Sequence, residues 1–112
     1  MKLINRVAIV TGAASGLGRE FSERLAAEGA IIAAVDINPT ADTVRSITQA
    51  GGTAIEVMTD ISSKQDTQAM AQQVMDTYGR IDILINNAGL IVPVTSYDKI
   101  QKRNGIGSWP SM

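Results

Sequence analysis

Four short apolar runs punctuate the chain, and each ends where the rhythm of the sequence changes. Val7-Ala8-Ile9-Val10 stops at Thr11-Gly12, and Ile31-Ile32-Ala33-Ala34-Val35 is closed by Asp36. Thr53 to Met58 is a third run, less apolar because it carries Glu56, and Ile81 to Ile85 leads into Asn86-Asn87-Ala88-Gly89. Runs with little polar alternation predict strands covered on both faces.

Between the strands the period lengthens. Leu17, Phe21 and Leu25 recur at helical spacing, with Arg19, Glu20, Glu23 and Arg24 on the other side, and Gly29 stands where a helix-terminating glycine is expected. Asn38-Pro39 predicts the start of a second helix, Asn as cap and Pro in the first turn, running to about Ala50. Ser63-Lys64-Gln65-Asp66 resembles a capping box with Asp in place of Glu. The helix it opens sets Met70, Val74 and Tyr78 on one stripe and ends at Gly79. Covered strands alternating with helices predict an α/β fold, a parallel sheet with right-handed crossovers.

Composition narrows the chemistry. The 112 residues make one domain at most, with 45% hydrophobic residues and a net charge of −1. That charge offers no electrostatic footprint for nucleic acid or an anionic membrane, and neither is expected as a partner. There is no cysteine and no histidine, so disulfides, thiolate catalysis, a Ser-His-Asp triad and the commonest zinc ligands are excluded, and no metal site is expected. No apolar run approaches the ~20 residues of a membrane helix. The first residues lack the apolar segment and cleavage site of a signal peptide, so a cytoplasmic protein is expected.

The candidate chemistry lies at the strand ends. Thr11-Gly12-Ala13-Ala14-Ser15-Gly16-Leu17-Gly18 joins the first strand to the first helix. In that context Gly12 permits a tight turn, Gly16 lets backbone approach a pyrophosphate, and Gly18 lets the helix pack closely. The helix start offers free N–H groups to a phosphate. The competing reading is a purely structural glycine turn. Asp36 follows Gly18 at close to the ~20-residue distance at which a dinucleotide fingerprint places the carboxylate for the adenosine ribose. A carboxylate there repels a 2′-phosphate, and no Arg or Lys stands in the loop or just after Asp36, so NAD is expected rather than NADP. A solvated turn aspartate is the alternative.

The Thr11–Gly18 segment has three residues between its first two glycines. With Asp60 after the third strand and Asn86-Asn87-Ala88-Gly89 after the fourth, it resembles the short-chain dehydrogenase/reductase family. The resemblance runs from about Val7 to Gly89. It implies half a Rossmann fold, four parallel strands in the order 3-2-1-4 with helices on both faces. It implies that Ser15, Gly16 and Leu17 line the pyrophosphate and that Asp36 holds the ribose. Asp60 and the Ile61 backbone would border the adenine. Asn87, Ala88 and Gly89 would close the adenine and nicotinamide-ribose side, with Asn87 tying the fourth strand to the first near Thr11. Asp60 could equally be a loop residue ahead of a helix, and Asn86-Asn87 a turn without a ligand.

The family's catalytic Tyr-x-x-x-Lys has no counterpart here. Four residues after Tyr78 stands Asp82, and four after Tyr97 stands Gln101. Lys99 and Lys102 fall off the helical face that Tyr97 would occupy. No catalytic residue is therefore assigned. Residues 1–89 are expected to form an NAD-binding half-domain and residues 90–112 a divergent tail. Two functions remain open: the cofactor-binding part of an oxidoreductase acting on an alcohol or carbonyl, shortened before its catalytic residues, or a non-enzymatic fragment that docks onto a full-length relative. In the four-stranded arrangement Ile83, Leu84 and Ile85 lie on an unpaired edge guarded only by Asp82. The Leu90–Val94 run could fold back over it, although Pro93 makes that run a poor ladder partner, or two chains could pair their fourth strands across a two-fold axis. Self-association, or docking through the fourth strand, is expected.

Overall fold

The computed structural model describes residues 2–86 and 90–93. β1 (Val7–Thr11), α1 (Gly16–Ala27), β2 (Ile31–Asp36), α2 (Ala41–Gln49), β3 (Thr53–Met58), α3 (Lys64–Tyr78), β4 (Ile83–Asn86) and β5 (Leu90–Pro93) follow in chain order. The sheet order is β3-β2-β1-β4-β5. β1 pairs in parallel with β2 and β4, and β2 with β3, so the parallel order 3-2-1-4 is the one the sequence implies.

Every residue of β1 is buried, because the strand sends alternate side chains into two cores. Val7 and Ile9 join Ala33, Val35, Leu84 and the α3 residues Met70 and Val74 on one face. Ala8 and Val10 join Ile32, Ala34, Ile47 and Ile85 on the other, with Phe21 and Leu25 of α1 packed against them. Helices thus cover both faces, and the loops at the C-terminal ends of β1, β2 and β3 share one rim.

Three local expectations are corrected. The second helix starts at Ala41, with Thr40 as its cap residue, not at Asn38-Pro39. The Asp36 carboxylate accepts the Asn38 N–H (2.9 Å), and the Thr40 hydroxyl turns inward to the Ala34 carbonyl (3.1 Å). Those bonds hold residues 37–39 as a bend over the sheet end. The fourth strand starts at Ile83, not Ile81. Ile81 is buried in the core, while Asp82 uses its carboxylate to take the Val7 N–H (2.8 Å) and its own N–H to reach the Val7 carbonyl (2.8 Å).

The third correction concerns the edge. β4 has a partner on its outer side: β5 pairs with it antiparallel, with Ile83 opposite Pro93 and Asn86 opposite Leu90. Pro93 is the last residue of the strand at the margin of the sheet, a position where its missing N–H is tolerated. The fourth strand is therefore not the exposed ladder that the four-stranded arrangement implied.

The start of α3 follows the sequence closely. The Ser63 hydroxyl accepts the Asp66 N–H (3.1 Å), the first half of a capping box. The second half is redirected, because the Asp66 carboxylate accepts the N–H of Asp60 (3.3 Å).

Candidate cofactor site

The loop between β1 and α1 is shaped by close backbone approach. A Cβ on Gly18 would lie 2.0 Å from the Gly12 carbonyl oxygen, so only glycine lets α1 sit this tightly over the turn. Gly16 has φ +60°, and a Cβ there would meet nothing within 4 Å, so its surface is open to an approaching group. Ser15 is extended, and its side chain makes no capping bond. The first helical hydrogen bond runs from the Arg19 N–H to the Ser15 carbonyl (3.4 Å), so the N–H groups of Gly16, Leu17 and Gly18 precede the ladder. The start of α1 is thus a local electropositive end. Leu17 is 61% exposed beside it.

The loop is also fastened to β2 and α2. The Ala13 N–H donates to the Val35 carbonyl (3.1 Å) and the Ala14 N–H to the Asp36 carboxylate (3.0 Å). The buried Thr43 hydroxyl donates to the Ala13 carbonyl (2.7 Å).

Asp36 and Asp60 meet across a cleft of about 180 Å³ lined by Gly12, Val35, Asp36, Ile37, Thr59, Asp60 and Ile61. The Asp60 carboxylate accepts both the N–H (3.0 Å) and the hydroxyl (2.6 Å) of Ser62, and these bonds hold its pKa below the ordinary carboxylate value. Asp60 therefore builds the turn ahead of α3 and also lines the cleft. Gly12, Asp36, Asp60 and Ile61 come together in this cleft, while Ser15, Gly16, Leu17 and Gly18 form the turn and helix start that follow Gly12. Asn87, Ala88 and Gly89 lie outside the described residues. So does the tie expected from Asn87; within the described residues the Thr11 hydroxyl joins β1 to β4 by donating to the Ile85 carbonyl (3.3 Å).

Sequence reasoning passed over Ile37 and Thr43. Ile37 is 61% exposed on the cleft, an apolar residue directly after a strand end, and that position was a usable signal. Thr43 carried none, since its role depends on where α2 packs. Tyr78 is half-buried against the α3-side core, where burial raises its pKa, and it takes no part in the cleft.

A cleft between strand ends thus lies beside a glycine turn and an uncapped helix start. The sequence model of the short chain dehydrogenase family matches residues 6–106. The chain belongs to that family. The short-chain dehydrogenase/reductase homolog YusS of Bacillus subtilis (strain 168) is 39% identical over 93 residues, 80% of this chain and 85% of that protein. The 7alpha-hydroxysteroid dehydrogenase of Escherichia coli (strain K12) is 40% identical over 91 residues, covering 80% of this chain and 36% of the enzyme. A metagenomic short-chain oxidoreductase solved in complex with NADP superposes with a TM-score of 0.76 at 34% identity, over 80% of this chain and 42% of that one. This short-chain dehydrogenase homologue is thus comparable in extent to YusS and spans well under half of the two enzymes. The family match reaches past Gly89, where the resemblance read from the motifs stopped. The family is one of oxidoreductases that bind a nicotinamide cofactor. Among the described residues no helix is long and apolar enough to cross a membrane.

Proposed function

We propose that this chain binds the adenosine diphosphate half of a nicotinamide cofactor at the rim formed by β1, β2 and β3, and that it prefers NAD to NADP. The observation that carries the reading is Asp36, a carboxylate at the end of β2 that lines the cleft next to the turn into α1. A ribose 2′-hydroxyl can donate to such a carboxylate, whereas a 2′-phosphate is repelled by it. Ser15, Gly16, Leu17 and Gly18 would receive the pyrophosphate on backbone N–H groups at the helix start. Asp60 and Ile61 would border the adenine, with Ile37 adding an apolar wall. Asn87, Ala88 and Gly89 would complete the nicotinamide-ribose side. In this reading binding belongs to residues 1–89 and residues 90–112 form a divergent tail, of which Leu90–Pro93 add β5 to the sheet.

When bound, the cofactor supplies a hydride acceptor or donor for an alcohol or carbonyl. The Tyr-x-x-x-Lys pair that moves the proton in the family is not among these residues, so the chain is expected to bind without turnover. A cytoplasmic setting, where nicotinamide cofactors are available, is part of this proposal. Calorimetry with NAD and NADP tests the reading. NAD is expected to bind weakly, with Kd of about 1 mM, and NADP more weakly. NADP bound more tightly than NAD would overturn the role of Asp36.

For partners, the β5 ladder supports a chain that does not associate through β4. Light scattering is expected to find the full chain monodisperse and a chain ending at Gly89 associated. Equal association of both would show that β5 protects nothing.

A further inference from the structure

The peptide unit between Ala13 and Ala14 is gripped at both ends from two different elements. Its carbonyl accepts the Thr43 hydroxyl of α2 (2.7 Å), and its N–H donates to the Asp36 carboxylate at the end of β2 (3.0 Å). Thr43 is fully buried, and the helix that carries it is itself anchored. The Thr40 hydroxyl holds the Ala34 carbonyl of β2 (3.1 Å), and the Thr40 N–H reaches the Glu56 carboxylate of β3 (2.5 Å). The route from the edge strand to the glycine loop is therefore continuous: Glu56, Thr40, Thr43, Ala13.

We propose that Thr43 is a positioning residue for the phosphate-binding loop, whose hydroxyl fixes the Ala13–Ala14 peptide before any cofactor arrives. Two consequences follow for an anionic ligand. The Ala13 carbonyl, a partial negative charge, is committed to α2 rather than left free to turn toward a pyrophosphate. The Ala14 N–H is directed at Asp36, so the carboxylate is held in the cleft by the loop it faces. Neither effect requires Thr43 to touch the ligand. The inference rests on the cofactor reading for its purpose, but the geometry of the loop can be tested without any cofactor.

The test compares the whole chain with Thr43→Val, which keeps the shape and removes the donor, and Thr43→Ser, which restores it. Amide exchange followed by NMR in the absence of cofactor is the first readout. Thr43→Val is expected to speed exchange at Ala14 by about tenfold, the scale of one lost hydrogen bond, with the β1 amides of Ile9 and Val10 unchanged and Thr43→Ser close to wild type. Unaltered exchange at Ala14, or a uniform rise across β1 as well, overturns the proposal, since the second pattern marks a merely structural residue. The other readout is the Kd for NAD against that for adenosine. Thr43→Val should weaken NAD by about tenfold and weaken adenosine, whose ribose meets Asp36 but which carries no phosphate, by a smaller factor. Equal weakening of both overturns a role directed at the phosphate. Wild-type protein that binds no NAD would sink the cofactor reading alone, and the exchange data would still decide Thr43. Should Thr43→Val not fold, Thr43→Cys replaces the hydroxyl with a weak donor and reads the same amides.

Discussion

Two aspartates fasten backbone at opposite ends of the parallel sheet, and they differ in what else they hold. At the N-terminal end, Asp82 accepts the Val7 N–H (2.8 Å) and two contacts from the Arg80 guanidinium (2.7 and 2.6 Å), with Arg6 3.5 Å away. At the C-terminal end, Asp36 accepts the N–H groups of Ala14 (3.0 Å) and Asn38 (2.9 Å), and among the described residues no cation pairs with it. The same chemistry therefore serves two ends. A carboxylate saturated by guanidinium groups locks β1 beside β4. A carboxylate met only by N–H groups among the described residues faces a cleft with no cation beside it there. Opposite-end residues should accordingly separate stability from ligand discrimination.

The largest expected effect lies in the glycine turn at the C-terminal end. Gly18→Ala places a methyl 2.0 Å from the Gly12 carbonyl oxygen, and the atom it meets is backbone, which cannot swing aside. A loss of about 3 kcal/mol is expected, the upper range for overpacking, read as a shift of the urea midpoint. A change under about 0.5 kcal/mol, the level of neutral surface substitutions, would mean that α1 does not sit this tightly on the loop.

Asp82 comes next. Burial alone would raise its pKa, but the Arg80 hydrogen bonds, the Val7 N–H and the Arg80 and Arg6 charges outweigh burial and hold it below the ordinary value. Asp82→Ala strands the Val7 N–H and leaves Arg80 without its partner, at a cost of about 2 kcal/mol. The ratio of NAD to NADP affinity should not move. The pH dependence has a definite sign. A carboxyl depressed in the folded state contributes stability that is fully present above its unfolded pKa of about 3.9 and is lost as pH falls through the lower folded value. Asp82→Asn should therefore flatten the acid limb of stability against pH. Glu23, lowered chiefly by the Ser46 hydroxyl, and Asp60 would keep part of the slope. An acid limb identical in Asp82→Asn would remove Asp82 from the list of titrating staples.

These two ends were unequally legible in the sequence. The cleft end was readable because its parts are local: a glycine loop with fixed spacing, a strand closed by Asp36, and Ser63 capping the Asp66 N–H as its spacing required. Each is a demand of backbone geometry within a few residues. What the sequence hid depends on which of several competing contacts the folded chain makes. The Asn38-Pro39 start signal lost to Asp36, which takes the Asn38 N–H, and to Thr40, whose hydroxyl goes to β2 instead of capping. β5 was open but disfavoured, because Pro93 argues against a strand unless the residue is known to end one at the sheet margin. Thr43 reads as an ordinary helix residue until α2 is seen to reach the loop. Asp82 looked like a gatekeeper on an apolar run; Arg80 stands two residues away, but Arg6 and the Val7 N–H become its partners only when β1 lies beside β4.

The smallest effect on stability, and the sharpest test of the contrast, is expected at Asp36. Its partners are the N–H groups of Ala14 and Asn38, at part-buried and exposed positions where water can replace the carboxylate. Asp36→Ala should therefore cost about 1 kcal/mol, less than Asp82→Ala, in the same urea titration. Its consequence for ligands runs the other way. Removing the charge takes away the acceptor proposed for the 2′-hydroxyl, which weakens NAD, and removes the repulsion against a 2′-phosphate, which strengthens NADP relative to NAD. A swing of about tenfold in the affinity ratio corresponds to about 1.4 kcal/mol, well within what one charge next to a phosphate supplies in a partly solvated cleft. Added salt should shrink the swing, since exposed charges are screened over about 10 Å at 0.1 M ionic strength. If Asp36→Ala destabilised the chain as much as Asp82→Ala and left the ratio untouched, both carboxylates would be structural staples, and the division of labour between the two ends of the sheet would be lost.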